Sequence, residues 1–340
     1  MPKIAIVGEA WGADEEKERA PFVGWSGQEL TRMLSKAGIM RSDCFLSNVF
    51  NLRPKGIEGV NAIANLCTDE RSTDFPPIAK GKYLRPCYFP EVRRLLAELR
   101  AVRPNITILL GNTAAWALLK ATGITKLRGF VVESAVIPGL KCLPTYHPAA
   151  VLREYSLRPT TILDLGKARR ESAFPELRRP PRTVYIEPSL SEMEWFYDQH
   201  LRFADEIIFD IETRGDQITC IGFAPSHAVA LVVPFSDSRK PSGSFWPTLE
   251  AERAAWQFVR RVLALPCRKA GQNTLYDITF LWKGYGITVN NYDDDSMLLH
   301  HALQPESEKS LGYLGSIYTD EGPWKMMRTR GEDATIKRED

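Results

Sequence analysis

The chain of 340 residues has no apolar run approaching the roughly 20 residues that cross a bilayer, so a membrane-spanning helix and a membrane partner are not expected. It is also short of organised cysteine. Six are scattered at positions 44, 67, 87, 142, 220 and 267 without a C-x-x-C pair, which argues against a zinc knuckle and a disulfide framework and fits a reducing, cytoplasmic setting. Met1 leads straight into the strand-like run Lys3-Ile4-Ala5-Ile6-Val7, which leaves no room for a signal peptide. The dinucleotide fingerprint G-x-G-x-x-G is missing too, and this weakens a nucleotide-dependent oxidoreductase, the one class suggested by the first strand and its glycine turn. Charge is nearly balanced at +2, so any polyanionic partner must be met by local basic patches.

What is present fits about two soluble domains, since length divided by ~150 gives two. The composition is 44% hydrophobic and 25% charged, enough apolar material for sizeable cores. Residues 171–183 are rich in proline and arginine and carry no apolar period, which marks a linker between domains at 1–170 and 184–340. Before it, strands at Ile4–Val7, Cys44–Val49 and Ile106–Leu110 alternate with helices at Gly27–Ala37, Glu91–Val102 and Ala114–Thr122, a pattern that predicts a mostly parallel sheet in an α/β fold. After it, strands at Glu206–Ile211, Ile218–Ala224 and Ala228–Val233 precede helices at Glu250–Leu265 and Ile278–Tyr285, which predicts a mixed sheet.

The run Ile207-Ile208-Phe209-Asp210-Ile211-Glu212-Thr213 is an apolar strand that ends in two carboxylates at i and i+2. A strand repeats every two residues, so both project from one face and repel unless a cation lies between them. Asp277, in Gly271-Gln272-Asn273-Thr274-Leu275-Tyr276-Asp277, offers a third carboxylate, and an acidic run at 293–295 opens a further helix-like stretch. An oxygen-only ligand set of Asp210, Glu212 and Asp277 suits Mg²⁺ or Mn²⁺ and the hydrolysis of phosphodiesters.

In the first domain, Gly8-Glu9-Ala10-Trp11-Gly12, Pro21-Phe22-Val23-Gly24-Trp25-Ser26-Gly27, Leu46–Pro54 and Tyr146–Arg153 occur in an order that resembles the uracil-DNA glycosylase superfamily, nearest its family 4, over roughly 3–165. The resemblance implies a three-layer α/β/α sheet that acts on uracil-containing DNA. It makes Phe22 the ring on which an extruded base stacks and Asn48 the amide that reads the base edge. His147 becomes the donor to the charge that develops on uracil O2, and Glu9 the acid that orients water or stabilises the cationic sugar, with Asp14 and Glu15 nearby. Leu152 and Arg153 would enter or clamp the groove. Two departures stand out: Leu52 occupies the position of a cluster cysteine, so no iron-sulfur cluster is expected, and Trp11 stands where the family has proline.

The second domain resembles the DnaQ-like 3′-to-5′ exonuclease domain of family A DNA polymerases, an RNase H-like fold, over roughly 184–330. Asp210 and Glu212 match its first motif, Asn273 and Asp277 its second, and Asp295 the step into the next helix. By resemblance Asp210 bridges two ions and Asn273 contacts the substrate. The segment Lys309–Thr319, closed by Trp324-Lys325, looks like bacteriophage polymerases of this class, which implies a phage protein acting on single strands or 3′ ends in a bacterial cytoplasm. The family's third motif, Tyr-x-x-x-Asp or His-x-x-x-x-Asp, does not occur after Asp277, and the tail 328–340 lacks an apolar face. The expectation is therefore an N-terminal portion of a polymerase that combines both activities. The alternative is a non-catalytic, uracil-sensing DNA-binding module that docks to a separate polymerase chain.

Overall fold

In the computed structural model the described residues are 2–54, 62–71, 74–79 and 81–322, so Trp324, Lys325 and the tail 328–340 lie outside them. They divide into two compact units: the chain up to Arg179 together with the chain from Gly315, and Pro180–Leu314.

The first unit opens with β1 (Ile4–Ala10), α1 (Ala13–Glu18) and α2 (Trp25–Lys36), followed by β2 (Cys44–Phe50) and a small hairpin of β3 (Cys67–Thr68) and β4 (Tyr83–Leu84). Then come α3 (Phe89–Val102), β5 (Ile106–Leu110), α4 (Gly111–Leu119), α5 (Ile124–Leu127), β6 (Val132–Glu133), β7 (Lys141–Thr145), α6 (Pro148–Arg153) and α7 (Leu157–Glu171). The sheet runs β2-β1-β5-β7-β6, parallel except for β6 against β7. Its strands are apolar at consecutive positions because both faces are covered. Ile4 and Ile6 join one core with Leu30, Met33 and Leu34 of α2, while Ala5 and Val7 join the other with Leu95 and Leu99 of α3. A three-layer α/β/α arrangement follows directly from that alternation.

The second unit comprises β8 (Thr183–Ile186), α8 (Leu190–Phe196), β9 (Glu206–Arg214), β10 (Gln217–Ser226), β11 (Val229–Pro234), α9 (Leu249–Leu263), β12 (Arg268–Gly271), α10 (Leu275–Tyr285), β13 (Tyr292–Asp295), α11 (Ser296–Leu303) and the start of α12 (Leu311–Tyr318). Its sheet order is β13-β12-β9-β10-β11-β8. An antiparallel meander, β9-β10-β11, continues into strands parallel to its first member, which is an RNase H-like mixed sheet. Ile207, Phe209 and Ile211 of β9 point into a core with Phe258, Val259 and Val262 of α9.

Cation–π contacts and hydrogen bonds to carbonyls place the boundaries away from those that composition suggests. The Phe174 ring receives the Lys141 ammonium at 3.9 Å and the Arg178 guanidinium at 3.7 Å, and Arg179 donates to the carbonyls of Val131 and Asp320. The proline- and arginine-rich stretch thus packs on the first unit as far as Arg179. Lys167 is only 3% exposed and donates to the carbonyls of Gly129, Ser316 and Thr319 at 3.0, 2.9 and 2.7 Å. A buried ammonium needs such acceptors, and they hold 315–319 on the first unit although the sequence places everything after 184 in the second.

Candidate active sites

The carboxyl ends of β1 and β2 lie side by side, with Gly8 paired to Asn48. A Cβ on Gly8 would stand 2.3 Å from Asn48 Oδ1 and 2.6 Å from Phe22 Cζ, so only glycine lets the amide and the ring close over this strand. Both side chains are buried. The Phe22 ring lies 6.4 Å from the His147 ring, centroid to centroid. The structure thus brings together an aromatic face, an amide and an imidazole in Phe22, Asn48 and His147.

His147 caps α6, its Nδ1 accepting the Ala149 N–H at 3.2 Å. An Nδ1 that accepts leaves the proton of the neutral ring on Nε2. Burial, then the nearby Arg153 charge, push the imidazole down to about 4, so near pH 7 it is a neutral donor. Glu9, one residue beyond Gly8, accepts a 2.5 Å hydrogen bond from Thr113 Oγ1 at the start of α4. That bond fixes one carboxylate oxygen and leaves the other for water or a cationic sugar. Leu152 and Arg153 are exposed at the end of the same short helix that His147 caps.

Several positioning groups escaped the sequence reading. Phe22 sits at a φ of +58°, an unusual conformation for a bulky residue. Arg41 holds it there by donating to the carbonyls of Phe22 at 2.8 Å, Gly27 at 3.2 Å and Pro21 at 3.3 Å. A Cβ on Gly27 would strike the Phe22 carbonyl at 1.9 Å. Glu15 is buried, and its two oxygens accept the N–H groups of Gly12 and Gly24 at 3.1 Å each, so it clamps two loops and is not a reserve acid. Arg94 donates to the Asn48 carbonyl at 2.9 Å and to Glu98 at 2.8 Å, which fixes the strand that presents the amide. The bonds of Arg41 and Arg94 to backbone carbonyls join residues 14 to 46 positions apart, and no local pattern announces them.

In the second unit, Asp210 and Glu212 lie on the outward face of β9, opposite the core residues, as their spacing requires. Glu212 pairs across the sheet with Cys220, where the register slips between Ile218 and Cys220, and such bulges re-aim side chains. Asp277 is buried in α10, and its Oδ1 accepts the Ile211 N–H at 2.8 Å. Burial above all, with repulsion from Asp210 and Asp295 added, pushes Asp277 up to about 6 against that hydrogen bond. Asp295 serves a different purpose. Its carboxylate accepts the N–H groups of Asn273, Thr274 and Met297 at 2.8–3.0 Å, which outweigh burial and hold it below the ordinary range. It thereby anchors the entry to α10 and caps α11. Asn273 takes a φ of +57°, which asparagine tolerates, and lines a cavity of about 520 Å³ with Tyr276, Phe280 and Lys283.

The donor chemistry of Asp210, Glu212 and Asp277 suits Mg²⁺ or Mn²⁺, but the spacing does not complete a set. Among the described residues no three His, Cys, Asp or Glu side chains converge closely enough to hold a metal ion. One Asp277 oxygen accepts from the backbone of β9, and the expected three-ligand cluster is not assembled among the described residues.

The three-layer unit, with a ring, an amide and a neutral imidazole at the carboxyl edge of its sheet, is that of a DNA-processing class of protein. The family description "Uracil DNA glycosylase superfamily" matches residues 1–177, and the chain belongs to that superfamily. The type-4 uracil-DNA glycosylase of Thermotoga maritima is 32% identical over 171 residues, covering 49% of this chain and 76% of that protein. Its counterpart in Archaeoglobus fulgidus is 33% identical over 172 residues, covering 48% and 74%. A DNA polymerase of Bacillus phage SP01 is 32% identical over 126 residues, 34% of this chain and 13% of that protein. Among solved structures, the chain is similar to an EXD2 exonuclease domain soaked in Mg and dGMP, with 17% identity, a TM-score of 0.27 and coverage of 46% and 78%. The RNase H-like character of the second unit lies in its own strand order.

Proposed function

We propose that the first unit excises uracil from DNA by hydrolysing the N-glycosidic bond. The observation that carries this reading is the closure of Asn48 and Phe22 over Gly8, opposite the neutral His147 ring. An extruded uracil stacks on Phe22, and the Asn48 amide matches its O4 acceptor and N3 donor. As the C1′–N1 bond breaks, the electron pair moves onto the base, and His147 Nε2–H donates to the charge at O2. Glu9, steadied by Thr113, orients the water that adds to C1′ and stabilises the cationic sugar. Leu152 and Arg153 fill or clamp the groove that the nucleotide leaves.

The second unit acts on DNA 3′ ends as a 3′-to-5′ exonuclease, with Asn273 at the substrate. A divalent cation would supply water activation and leaving-group stabilisation there, and Asp210, Glu212 and Asp277, drawn together by the ion, are the residues that would hold it. What supports this is the strand order together with the shared face of Asp210 and Glu212. A second reading, in which the chain is a non-catalytic, uracil-sensing DNA-binding module, is favoured by the lack of a three-ligand convergence among the described residues. Similarity to a phage DNA polymerase supports a place in replication, as the amino-terminal part of such an enzyme or docked to a separate polymerase chain.

The test is a single-stranded oligonucleotide with one uracil, labelled at its 5′ end. An alkali-labile break at the uracil supports excision, and Mg²⁺-dependent shortening from the 3′ end supports the exonuclease. Salt-sensitive binding without either product means the module reading.

A further inference from the structure

Beside the uracil pocket the same two strand ends open a second cavity of about 680 Å³, lined by Trp11, Arg19, Asn51, Arg53, Asn65 and Tyr88 among others. We propose that this cavity is a second nucleotide subsite, which receives the base and phosphate of a nucleotide next to the extruded uracil. The proposal deepens the base-excision reading and rests on it.

Two buried polar atoms in the cavity walls carry the inference. Trp11 Nε1 and Asn51 Oδ1 have no hydrogen-bond partner among the described residues. A buried N–H and a buried carbonyl left unpaired are costly, so their persistence points to a ligand with both an acceptor and a donor. A nucleobase edge offers that combination. The backbones are fixed around them: Trp11 N–H donates to the Leu52 carbonyl at 3.2 Å, and Asn51 N–H to Glu91 at 2.8 Å. The two side chains are thus presented by a braced frame. Arg19 and Arg53 supply the cationic rim for phosphate, Arg53 being tied at 3.5 Å to an exposed Glu16 that an anion can displace. Tyr88 and the Trp11 indole add ring faces for stacking.

Spacing places the subsite one nucleotide away. Trp11 lies two residues past Glu9 and Asn51 three past Asn48, which at ~3.3 Å per strand residue is about 7–10 Å. The spacing between consecutive nucleotides in an unstacked, extended strand is of that order. Nothing in the pocket of Phe22, Asn48 and His147 requires a residue of Trp11 type at that turn.

The experiment measures affinity of the full chain for short single strands with a central, non-hydrolysable 2′-fluoro-deoxyuridine, with each neighbouring base in turn replaced by an abasic spacer. Loss of one neighbour should weaken binding by roughly tenfold in the native chain, and that penalty should vanish in Trp11→Phe and in Asn51→Ala, while preference for uracil over thymine at the centre is unchanged. Arg53→Ala, at an exposed residue, should weaken all strands alike and flatten the salt dependence. Equal abasic penalties in native and variant chains overturn the subsite. Saturable binding of free deoxynucleoside monophosphates that depends on Trp11 and Asn51, with no neighbour effect, overturns its assignment to the DNA strand. Thymine-centred strands score the neighbour effect separately, so loss of uracil preference alone counts against the base-excision reading and leaves the subsite to its own result.

Discussion

Asn48 Oδ1 lies 2.3 Å from the point at which a Cβ on Gly8 would stand, and the Phe22 ring lies 2.6 Å from it. The Asn48 amide and the Phe22 ring, the proposed reader and stacking platform, are thus both set by the absence of one methyl group. Gly8→Ala should displace both and reduce uracil excision at least about 100-fold, while overpacking lowers stability by only ~1–3 kcal/mol. Single-turnover excision and denaturant unfolding check the two halves; unimpaired excision would mean that the pocket lies elsewhere.

Asn48→Ala removes the amide without touching the ring. Discrimination of uracil over thymine should fall about 10–100-fold, the equivalent of ~1–3 kcal/mol of lost hydrogen bonding. Parallel excision assays on matched strands measure it, and an unchanged ratio would remove Asn48 from the reading role.

His147 predicts a pH dependence. Its ordinary value of 6.5 is pushed down to about 4 by burial and then by Arg153. Below about 6.5 the unfolded chain takes up a proton that the folded chain resists, so the stability is intact above that pH and is lost as the pH falls through about 4. His147→Gln should show a smaller drop in melting temperature between neutral and acid pH than the native chain. An equal drop would contradict the neutral imidazole.

Arg128 and Asp164 form a buried pair in the first unit, supported by Thr145 Oγ1 at 2.7 Å from the carboxylate and by an Arg128 bond of 2.9 Å to Ser316 Oγ. Arg128→Ala leaves Asp164 buried without its partner and should cost about 3–5 kcal/mol. Urea unfolding followed in the first unit tests this, and a loss under ~1 kcal/mol would show that the pair is dispensable.

Asp210→Ala should abolish any 3′-end shortening and leave the fold intact, because removing one carboxylate from a like-charged face relieves repulsion. Retained shortening in a correctly folded variant would place the nuclease chemistry on other residues.

The parts legible in the sequence were those encoded by local period and order. The apolar run of β1 announced a strand of a mostly parallel sheet, and the i, i+2 placement of Asp210 and Glu212 in β9 announced their shared face. Strand ends were less legible: β9 runs on to Arg214 and β1 to Ala10, since hydrogen bonding to a neighbouring strand extends past the apolar run. Long-range polar contacts were illegible. Arg41 bracing Phe22, Thr113 binding Glu9 and Lys167 collecting Ser316 and Thr319 depend on the finished topology. The bond from the Ile211 N–H to Asp277 belongs to the same kind.

Identification of the first product released from a uracil-containing single strand tests the central assignment most directly. The Phe22, Asn48 and His147 pocket predicts free uracil base, detected by mass spectrometry in stoichiometric yield with the phosphodiester backbone intact. Deoxyuridine monophosphate with no free base, or no release at all by a folded chain that binds the strand, would contradict it.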